Sequence, residues 1–287
     1  YTMPSAKWNG RRGRIGERMR DKISACIITF NEENNIRRCL ESVTWCDEIV
    51  VVDSFSTDRT IEICREYTDK IYQHKWMGYV GQRNLIRKKA SYEWVLYLDA
   101  DEAVSPALRK EIRAEFDRDD PNIAGYQFPR LVRFLGKWIR HGDWYPDIKL
   151  RLFKKTRGRS VGSEPHDYVV VMGSLKTLKH PIYHYTYRDI SDYLRTTNRY
   201  TSIAADGKKR DGGRFTWRDM LFRPPWRFVR GYLLKGGILD GWHGLLIASV
   251  NAFGVAMKYA KIRELELLER IAERDEAADT LPEKNGS

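Results

Sequence analysis

The hydrophobic positions in the first hundred residues fall into short continuous runs separated by stretches of helical spacing. Four runs occupy residues 23–30, 48–53, 70–72 and 94–98. Runs that are apolar at consecutive positions are typical of strands covered on both faces. Between them, apolar residues recur at helical spacing, and Asn31 is predicted to cap a first helix with Glu32 and Glu33 in its first turn. This alternation predicts an α/β fold with a Rossmann-like, mostly parallel sheet flanked by helices.

The pattern changes after about residue 120. Residues 125–184 read as short strands and loops rich in aromatic residues and glycine, which predicts a mixed or antiparallel half. Helix formers return from residue 191, and near the end Ile262, Leu265, Leu268 and Ile271 share one helix face. We therefore expect a basic arm at 1–20, a two-part α/β domain at 21–190 with its first half ending near 120, a helical extension at 191–272 and a flexible tail at 273–287.

The positive charge is concentrated in two segments. The chain has a net charge of +12, and residues 1–20 and 195–235 account for all of this excess. Within 208–235, arginines alternate with tryptophan and phenylalanine, a combination that suits either an anionic membrane surface or RNA. The apolar run at 238–260 is interrupted by Asp240, His243 and Asn251, so it is predicted to lie in the membrane interface or form a packed protein contact rather than to span a bilayer.

The cysteines and the N-terminal residues bear on the compartment. Cys26, Cys39, Cys46 and Cys64 show no CxxC spacing, which indicates reduced thiols and a cytoplasmic protein. No charged start followed by an apolar run is visible in the first residues, so we expect no secretory signal.

Acidic or polar residues follow three of the predicted strands. Thr29 and Glu32 follow the first, Asp53 ends the second, and Asp99 and Asp101 follow the fourth. Because open parallel sheets bind ligands at the carboxyl ends of their strands, these side chains are expected to share one cleft. A pair of carboxylates in the pattern Asp-Ala-Asp suits Mg²⁺ or Mn²⁺ with substrate phosphates completing the shell, although the same pattern also occurs in solvated acidic turns.

Three ordered motifs make the sequence resemble family 2 glycosyltransferases. They are CIITFNEE at 26–33, VVDSFSTD at 51–58 and LDADE at 98–102. The likeness continues through GKW at 136–138, WYPD at 144–147, RLF at 151–153, PHD at 165–167 and HYTYR at 184–188, and covers about residues 23–265. Within the family, the chain is most similar to bacterial lipopolysaccharide-core β-1,4-glucosyltransferases.

The resemblance implies a GT-A fold and direct, inverting sugar transfer from a nucleotide sugar. The residues it implies for nucleotide-sugar binding are Thr29, Glu32, Asp53, Arg83, Asp99 and Arg151. Asp101 and His184 are the implied ligands of Mg²⁺ or Mn²⁺, and Asp167 is the implied catalytic base, with Glu164 as its rival. Trp144, Tyr145 and His166 are expected to contact the acceptor.

Several of these residues also have a purely structural interpretation. Thr29 and Glu32 could simply cap turns, and Arg83 lies in a basic run that could be a solvated helix face. His184 could be a hydrogen-bonded core residue, with His180 as the alternative ligand, and the two aromatic acceptor candidates could be core.

The combined prediction is a metal-dependent hexosyltransferase that moves glucose from UDP-glucose to a lipid-linked saccharide such as the lipopolysaccharide inner core. It would act as a peripheral protein on the cytoplasmic face of the inner membrane, with oligomers possible. A nucleotidyltransferase is the first alternative, but the turn at 29–33 lacks the glycine-rich phosphate loop typical of that class. A basic protein that binds RNA or single-stranded nucleic acid is the second alternative, although acidic residues at three strand ends would oppose the binding of nucleic-acid phosphates unless a metal intervenes. A catalytically silent scaffold is the third.

Overall fold

The computed structural model describes residues 21–162 and 167–279. The strands are β1 (Ile23–Thr29), β2 (Glu48–Asp53), β3 (Ile71–Gln73), β4 (Trp94–Asp99), β5 (Glu102–Val104), β6 (Ile123–Phe134), β7 (Lys137–Trp138), β8 (Asp147–Lys154), β9 (Gly158–Val161), β10 (Tyr168–Val171), β11 (Ser174–Thr177) and β12 (Ile182–His184). The α-helices are α1 (Ile36–Ser42), α2 (Thr60–Arg65), α3 (Gly78–Lys89), α4 (Pro106–Arg118), α5 (Ile190–Arg210), α6 (Trp217–Val229) and α7 (Trp242–Asp279).

The first half is a parallel sheet in the order β3-β2-β1-β4. All seven residues of β1 are buried, because side chains of alternate residues enter two separate cores. Ile27 packs with Ile36 and Leu40 on one face, whereas Cys26 and Ile28 pack on the other face. The continuous apolar runs therefore correspond to strands covered on both faces, as predicted.

The second half is mixed. β8 lies antiparallel between β4 and β6, and β12 pairs parallel with β6 and antiparallel with β5. β9 and β10 form a separate two-stranded ribbon. This arrangement brings the end of β12 beside the segment that follows β4, so that residues about eighty positions apart in sequence meet at one edge.

The C-terminal helices pack against the second half through buried acids and close backbone contacts. The side chain of Asp143 is only 2% exposed and faces Arg227, Arg230 and Lys235 at 3.1–3.5 Å. Asp240 accepts hydrogen bonds from the backbone nitrogens of residues 140 and 141. These contacts fix the basic aromatic segment to the α/β domain.

Two sequence-based expectations about helices are wrong. Asn31 does not cap the first helix, which begins at Ile36 after Asn35 and has no acid in its first turn. Instead Asn31 has a φ of 52°, and its side chain accepts a hydrogen bond from the backbone nitrogen of Thr57 at 2.8 Å. This hydrogen bond joins the loop after β1 to the loop after β2, and it uses the Asn31 oxygen that would otherwise cap the helix.

The second wrong expectation concerns the C-terminal region. The apolar run and the amphipathic helix near the end were expected to be separate, but they form the single helix α7.

Helix α7 is long and apolar enough to cross a membrane by length and composition, and about a third of its apolar window is buried in the protein. Around it, many apolar side chains are exposed. On α6 these are Trp217, Leu221, Phe222 and Trp226, and between α6 and the start of α7 they are Leu233, Leu234, Ile238, Leu239 and Trp242. We refer to these nine residues as the apolar ridge.

Candidate active site

The polar ends of β1, β2 and β4 lie side by side. In the parallel register Thr29 is opposite Asp53, and Ile28 is opposite Asp99. The carboxyl ends of the strands thus meet at one edge, which is where an open α/β sheet binds its ligands. The clustering predicted from sequence is present for these residues.

Asp99 is held by two arginines from different elements. Arg83 of α3 donates to both oxygens of Asp99, at 2.7 and 2.9 Å, and Arg151 of β8 donates to one of them at 2.8 Å. The other guanidinium nitrogen of Arg83 is hydrogen-bonded to Asp167. Arg83 is buried, so it does not belong to a solvated helix face. The predicted base and the first acid of the Asp-Ala-Asp motif are therefore joined by one guanidinium.

The network extends through two residues that the sequence analysis did not assign. Arg151 also donates to Glu102 at 2.9 Å, and Arg130 of β6 lies 3.6 Å from Glu102 and 2.7 Å from Asp147. Glu102 is the last residue of the LDADE motif, and this position was an available signal. Arg130 lies in a long strand with no motif around it, so only the pairing of β6 with β8 and β12 reveals its place.

These ion pairs determine the charge state of the site. Burial alone would raise the pKa of Asp99, but the charges of Arg151 and Arg83 outweigh it and hold that pKa well below its usual range. Burial acts to lower the pKa of Arg151, yet Asp99 and Glu102 raise it overall. Asp99 is therefore a carboxylate across the physiological range, and it orders the arginines beside it.

Asp101 and His184 form the candidate metal-binding pair. The Nε2 atom of His184 lies 3.0 Å from the Oδ2 atom of Asp101, and the backbone nitrogen of Tyr185 donates to the Asp101 carbonyl at 2.9 Å. Adjacent ligands of an octahedral Mg²⁺ at 2.0–2.1 Å are separated by about 3 Å, so the pair fits as two ligands of one cation. His180 is instead exposed and paired with Glu111, which leaves His184 as the histidine of this site.

Two protein ligands alone do not make a complete site. Across 21–162 and 167–279, no group of three or more histidine, cysteine or acidic side chains could hold a metal ion. Mg²⁺ and Mn²⁺ sites in enzymes of phosphate-bearing substrates commonly have one or two protein ligands, with phosphate oxygens and waters completing the shell. The Asp101–His184 pair fits that kind of site.

Asp53, Thr29 and Glu32 differ in how far protein groups already satisfy them. Asp53 is fully buried and accepts hydrogen bonds from the Ser56 nitrogen at 2.9 Å and from Gln73 at 3.1 Å. The buried hydroxyl of Thr29 has no hydrogen-bond partner among the described residues. Burial raises the pKa of Glu32, and the Asp101 charge acts in the same direction. Nucleoside contacts by these residues stay predictions.

Of the two aromatic acceptor candidates, Trp144 lies beside the core. Trp144 is half-buried and packs against Phe134, Tyr187 and Tyr193, with ring centroids 5.2–5.6 Å apart. Tyr145 is also half-buried. The acceptor role of both remains a prediction. His166 and Glu164, together with the basic arm at 1–20, lie outside the described residues.

A cleft of about 520 Å³ opens beside the metal pair. One wall is the segment after β1, and the other combines the β6–β7 turn with the segment after β12. It is lined by Asn31, Glu32, Asn34, Asn35, Arg38, Arg133, Leu135, Gly136, Tyr185, Tyr187, Arg188 and Asp192. We call it the arginine cleft.

A parallel half with acidic strand ends, joined to a mixed half that supplies a histidine to the same edge, defines a GT-A type α/β fold. Residues 24–177 match the family described as Glycosyl transferase family 2. The chain therefore belongs to glycosyltransferase family 2, which decides against a nucleotidyltransferase and against a nucleic-acid-binding protein.

Curated relatives share nearly the whole chain. An uncharacterized glycosyltransferase of Rickettsia typhi is 31% identical over 260 residues, covering 87% of this chain and 89% of its own. The lipopolysaccharide core biosynthesis glycosyltransferase LpsC of Rhizobium meliloti is 29% identical over 262 residues, which cover 89% of this chain and 97% of LpsC.

Among solved structures, a mannosyltransferase from Pyrobaculum calidifontis, in complex with GDP-Man and Mn²⁺, has a TM-score of 0.49 at 16% identity and covers 84% of this chain and 87% of its own. TarS of S. aureus, in complex with UDP, has a TM-score of 0.43 at 16% identity, and the match covers 84% of this chain and 91% of the TarS chain.

Proposed function

We propose that this glycosyltransferase is an inverting, metal-dependent hexosyltransferase that transfers glucose from UDP-glucose to a lipid-linked saccharide, such as the lipopolysaccharide inner core. The observation that carries the proposal is the convergence of Asp99, Asp101 and His184 on one edge of the sheet. The similarity to a lipopolysaccharide core biosynthesis glycosyltransferase, which covers 89% of this chain, supports the choice of acceptor.

The roles of the residues follow from the charges that sugar transfer creates. Breaking the bond between the anomeric carbon and the diphosphate leaves negative charge on the leaving group, which cations beside it must stabilise. A divalent cation held by Asp101 and His184 would supply this charge neutralisation when bound. Arg83 and Arg151 are fixed close to this edge, but Asp99, Asp167 and Glu102 offset their charges, so the bound cation would supply most of the neutralisation.

Asp167 is the proposed base. In an inverting transfer, one carboxylate takes the proton from the acceptor hydroxyl while that oxygen attacks the anomeric carbon on the face opposite the diphosphate. The hydrogen bond between Arg83 and Asp167 supports this role, because Arg83 also binds Asp99 and so holds the Asp167 carboxylate close to the proposed donor site. The Thr29 hydroxyl, which has no hydrogen-bond partner in the part of the chain that the structure describes, supports a nucleotide contact at the end of β1.

A peripheral position on the cytoplasmic membrane face is part of the proposal. The apolar ridge, the apolar length of α7 and the lipopolysaccharide-related relative support contact with a lipid surface. The cationic contribution is smaller than the net charge of the segment implies, because Arg227, Arg230 and Lys235 face Asp143. Arg214 and Arg218 are exposed and available to anionic headgroups.

A donor screen tests the enzymatic proposal. The purified full chain is incubated with Mg²⁺ or Mn²⁺ and a panel of nucleotide sugars, and nucleoside diphosphate release is measured with and without lipopolysaccharide core acceptor. We expect release with UDP-glucose that requires the divalent cation and rises with acceptor. Release with another donor only would overturn the glucose assignment, and release unaffected by chelation would overturn the metal assignment.

A further inference from the structure

The arginine cleft is lined by three arginines and by two acids, Glu32 and Asp192, so it carries a net positive charge. Among the described residues, neither Arg38 nor Arg133 has an acidic side chain within ion-pair distance, although both line the cleft. Arg188 differs, because it lies 3.9 Å from Asp192, which also contacts Arg195. Within the described ranges, Arg38 and Arg133 are therefore the arginines of the cleft that form no ion pair.

Aromatic rings hold both guanidinium groups in place. The guanidinium carbon of Arg38 lies 3.9 Å from the centroid of Tyr185, and that of Arg133 lies 5.9 Å from the centroid of Trp138. Stacking uses the face of the planar group and leaves N–H donors at its edge free for a ligand. The free N–H groups at the edge of a stacked guanidinium can bind two oxygens of a phosphate or a carboxylate at once.

The cleft adjoins the reaction edge but lies on the acceptor side of it. Tyr185, which lines the cleft, follows His184 and donates its backbone hydrogen to Asp101. Arg133 belongs to β6 in the second half of the domain. Of the six residues predicted for the donor, only Glu32 lines the cleft, whereas Thr29, Asp53, Arg83, Asp99 and Arg151 do not.

We propose that the arginine cleft binds an anionic group, a phosphate or a carboxylate, on the acceptor saccharide, and that Arg38 and Arg133 recognise it. This inference rests on the proposed function and adds the chemical class of its acceptor. The Asn34 amide in the same cleft can form hydrogen bonds with neighbouring sugar hydroxyls, whereas the Asn31 oxygen already accepts from Thr57 and the Asn35 amide bonds to Glu32 and Arg38. A neutral acceptor of the same shape would leave both guanidinium groups unmatched.

The test measures binding of glucose 6-phosphate, glucuronate and glucose to the full chain saturated with UDP and Mg²⁺, by ligand-observed NMR. We expect the two anionic sugars to bind and glucose to bind at least tenfold more weakly. Replacing Arg38 or Arg133 by Gln should weaken binding of the anionic sugars by roughly tenfold or more, since each change removes a charged donor. The matched control is Arg113→Gln, because Arg113 is also exposed and stacked, on Trp45, but lies outside the cleft.

The affinity for UDP separates the possible failures. We expect Arg38→Gln and Arg133→Gln to bind UDP within about twofold of the unchanged chain. A tenfold loss of UDP affinity would assign these arginines to the donor diphosphate and overturn the inference. Equal binding of glucose and the anionic sugars, or equal losses in the Arg113 variant, would also overturn it. Failure of the unchanged chain to bind UDP would instead count against the proposed function.

Discussion

Two histidines close together in sequence have different surroundings. His184 at the end of β12 lies beside Asp101, whereas His180 is exposed and paired with Glu111. We expect His184→Ala and Asp101→Ala to lower sugar transfer by about 10²–10³-fold or more, because each removes a proposed ligand of the cation that stabilises the leaving diphosphate.

His180→Ala serves as the matched control and should retain transfer within about twofold. Nucleoside diphosphate release at saturating Mn²⁺ is the measurement, repeated over a range of Mn²⁺ concentrations. Undiminished turnover in the Asp101 variant, or equal losses in both histidine variants, would contradict the metal assignment.

The role of Asp167 is testable because asparagine keeps its size and a hydrogen bond to Arg83. Asp167→Asn should leave the affinity for the donor within about threefold and lower transfer by about 10²–10⁴-fold, since only proton removal from the acceptor is lost. Donor affinity is measured by titration and transfer by product formation. If Glu164→Gln produces this split instead, the base is Glu164.

Glu48 provides a pH-dependent contribution to stability away from the site. Burial acts to raise its pKa, but hydrogen bonds from Lys70, Ser24 and Ser91 lower it from 4.5 to about 2. A lowered pKa means that folding favours the carboxylate, so this stabilisation is complete above pH 4.5 and is lost as the pH falls towards 2.

We therefore expect Glu48→Gln to reduce the free energy of unfolding by about 1–3 kcal/mol at pH 7, with the difference shrinking below pH 4.5. Chemical denaturation at several pH values measures it. Glu41→Gln, at an exposed position, is the control and should change little. A difference that grows on acidification would contradict the sign.

The residue-scale contacts show what the sequence could and could not reveal. The acids Asp53 and Asp99 were identifiable because each comes directly after consecutive apolar residues, and Asp101 because it completes the Asp-Ala-Asp pattern. The arginines that hold Asp99 lie 16 and 52 residues away, on a helix and on an antiparallel strand, and only the sheet order brings them together. The arginine cleft was not visible in the sequence for the same reason.

At the scale of elements, the docking of α7 depends on two glycines. A Cβ atom added at Gly244 would lie 1.8 Å from the carbonyl oxygen of Gly237. Backbone must move to relieve this contact, so Gly244→Ala should destabilise the protein by several kcal/mol, despite the better helix propensity of alanine.

The control for this change is Gly207→Ala in α5, where an added Cβ meets nothing within 4 Å. It should be neutral or stabilise by up to about 1 kcal/mol. Thermal unfolding of both variants checks the prediction. Equal melting temperatures for the two variants would show that α7 does not require this close approach.

Among the secondary-structure elements, the buried strands could be predicted from the sequence, whereas the start of the first helix could not. The strands β1, β2 and β4 were predicted because burial on both faces leaves a continuous apolar run. The start of α1 was not, because a tertiary hydrogen bond to Thr57 uses the side chain of Asn31 that would have capped the helix. The helix boundary therefore depends on a contact across 26 residues.

At the scale of the whole molecule, the apolar ridge and the cations of the C-terminal region make different contributions to membrane binding. Asp143 faces Arg227, Arg230 and Lys235, and Asp219 pairs with Arg223, which leaves fewer free cations than the sequence indicates. Apolar burial should therefore contribute more than electrostatic attraction, because Trp217, Phe222 and Trp226 are each more than half exposed.

We accordingly expect replacement of Trp217, Phe222 and Trp226 by Ser to weaken binding to vesicles of anionic lipid by at least tenfold, whereas Arg214→Gln with Arg218→Gln weakens it only severalfold. Raising the salt concentration should remove the second effect but not the first, since salt screens charge and leaves apolar burial intact. Vesicle co-sedimentation at two salt concentrations measures both. Trp76→Ser, at an exposed tryptophan before α3, is the control, and an equal loss there would mean that the ridge is not the lipid-binding surface. If high salt releases the unchanged protein completely, attraction between cations and lipid is the main contribution, and the ridge must serve another contact.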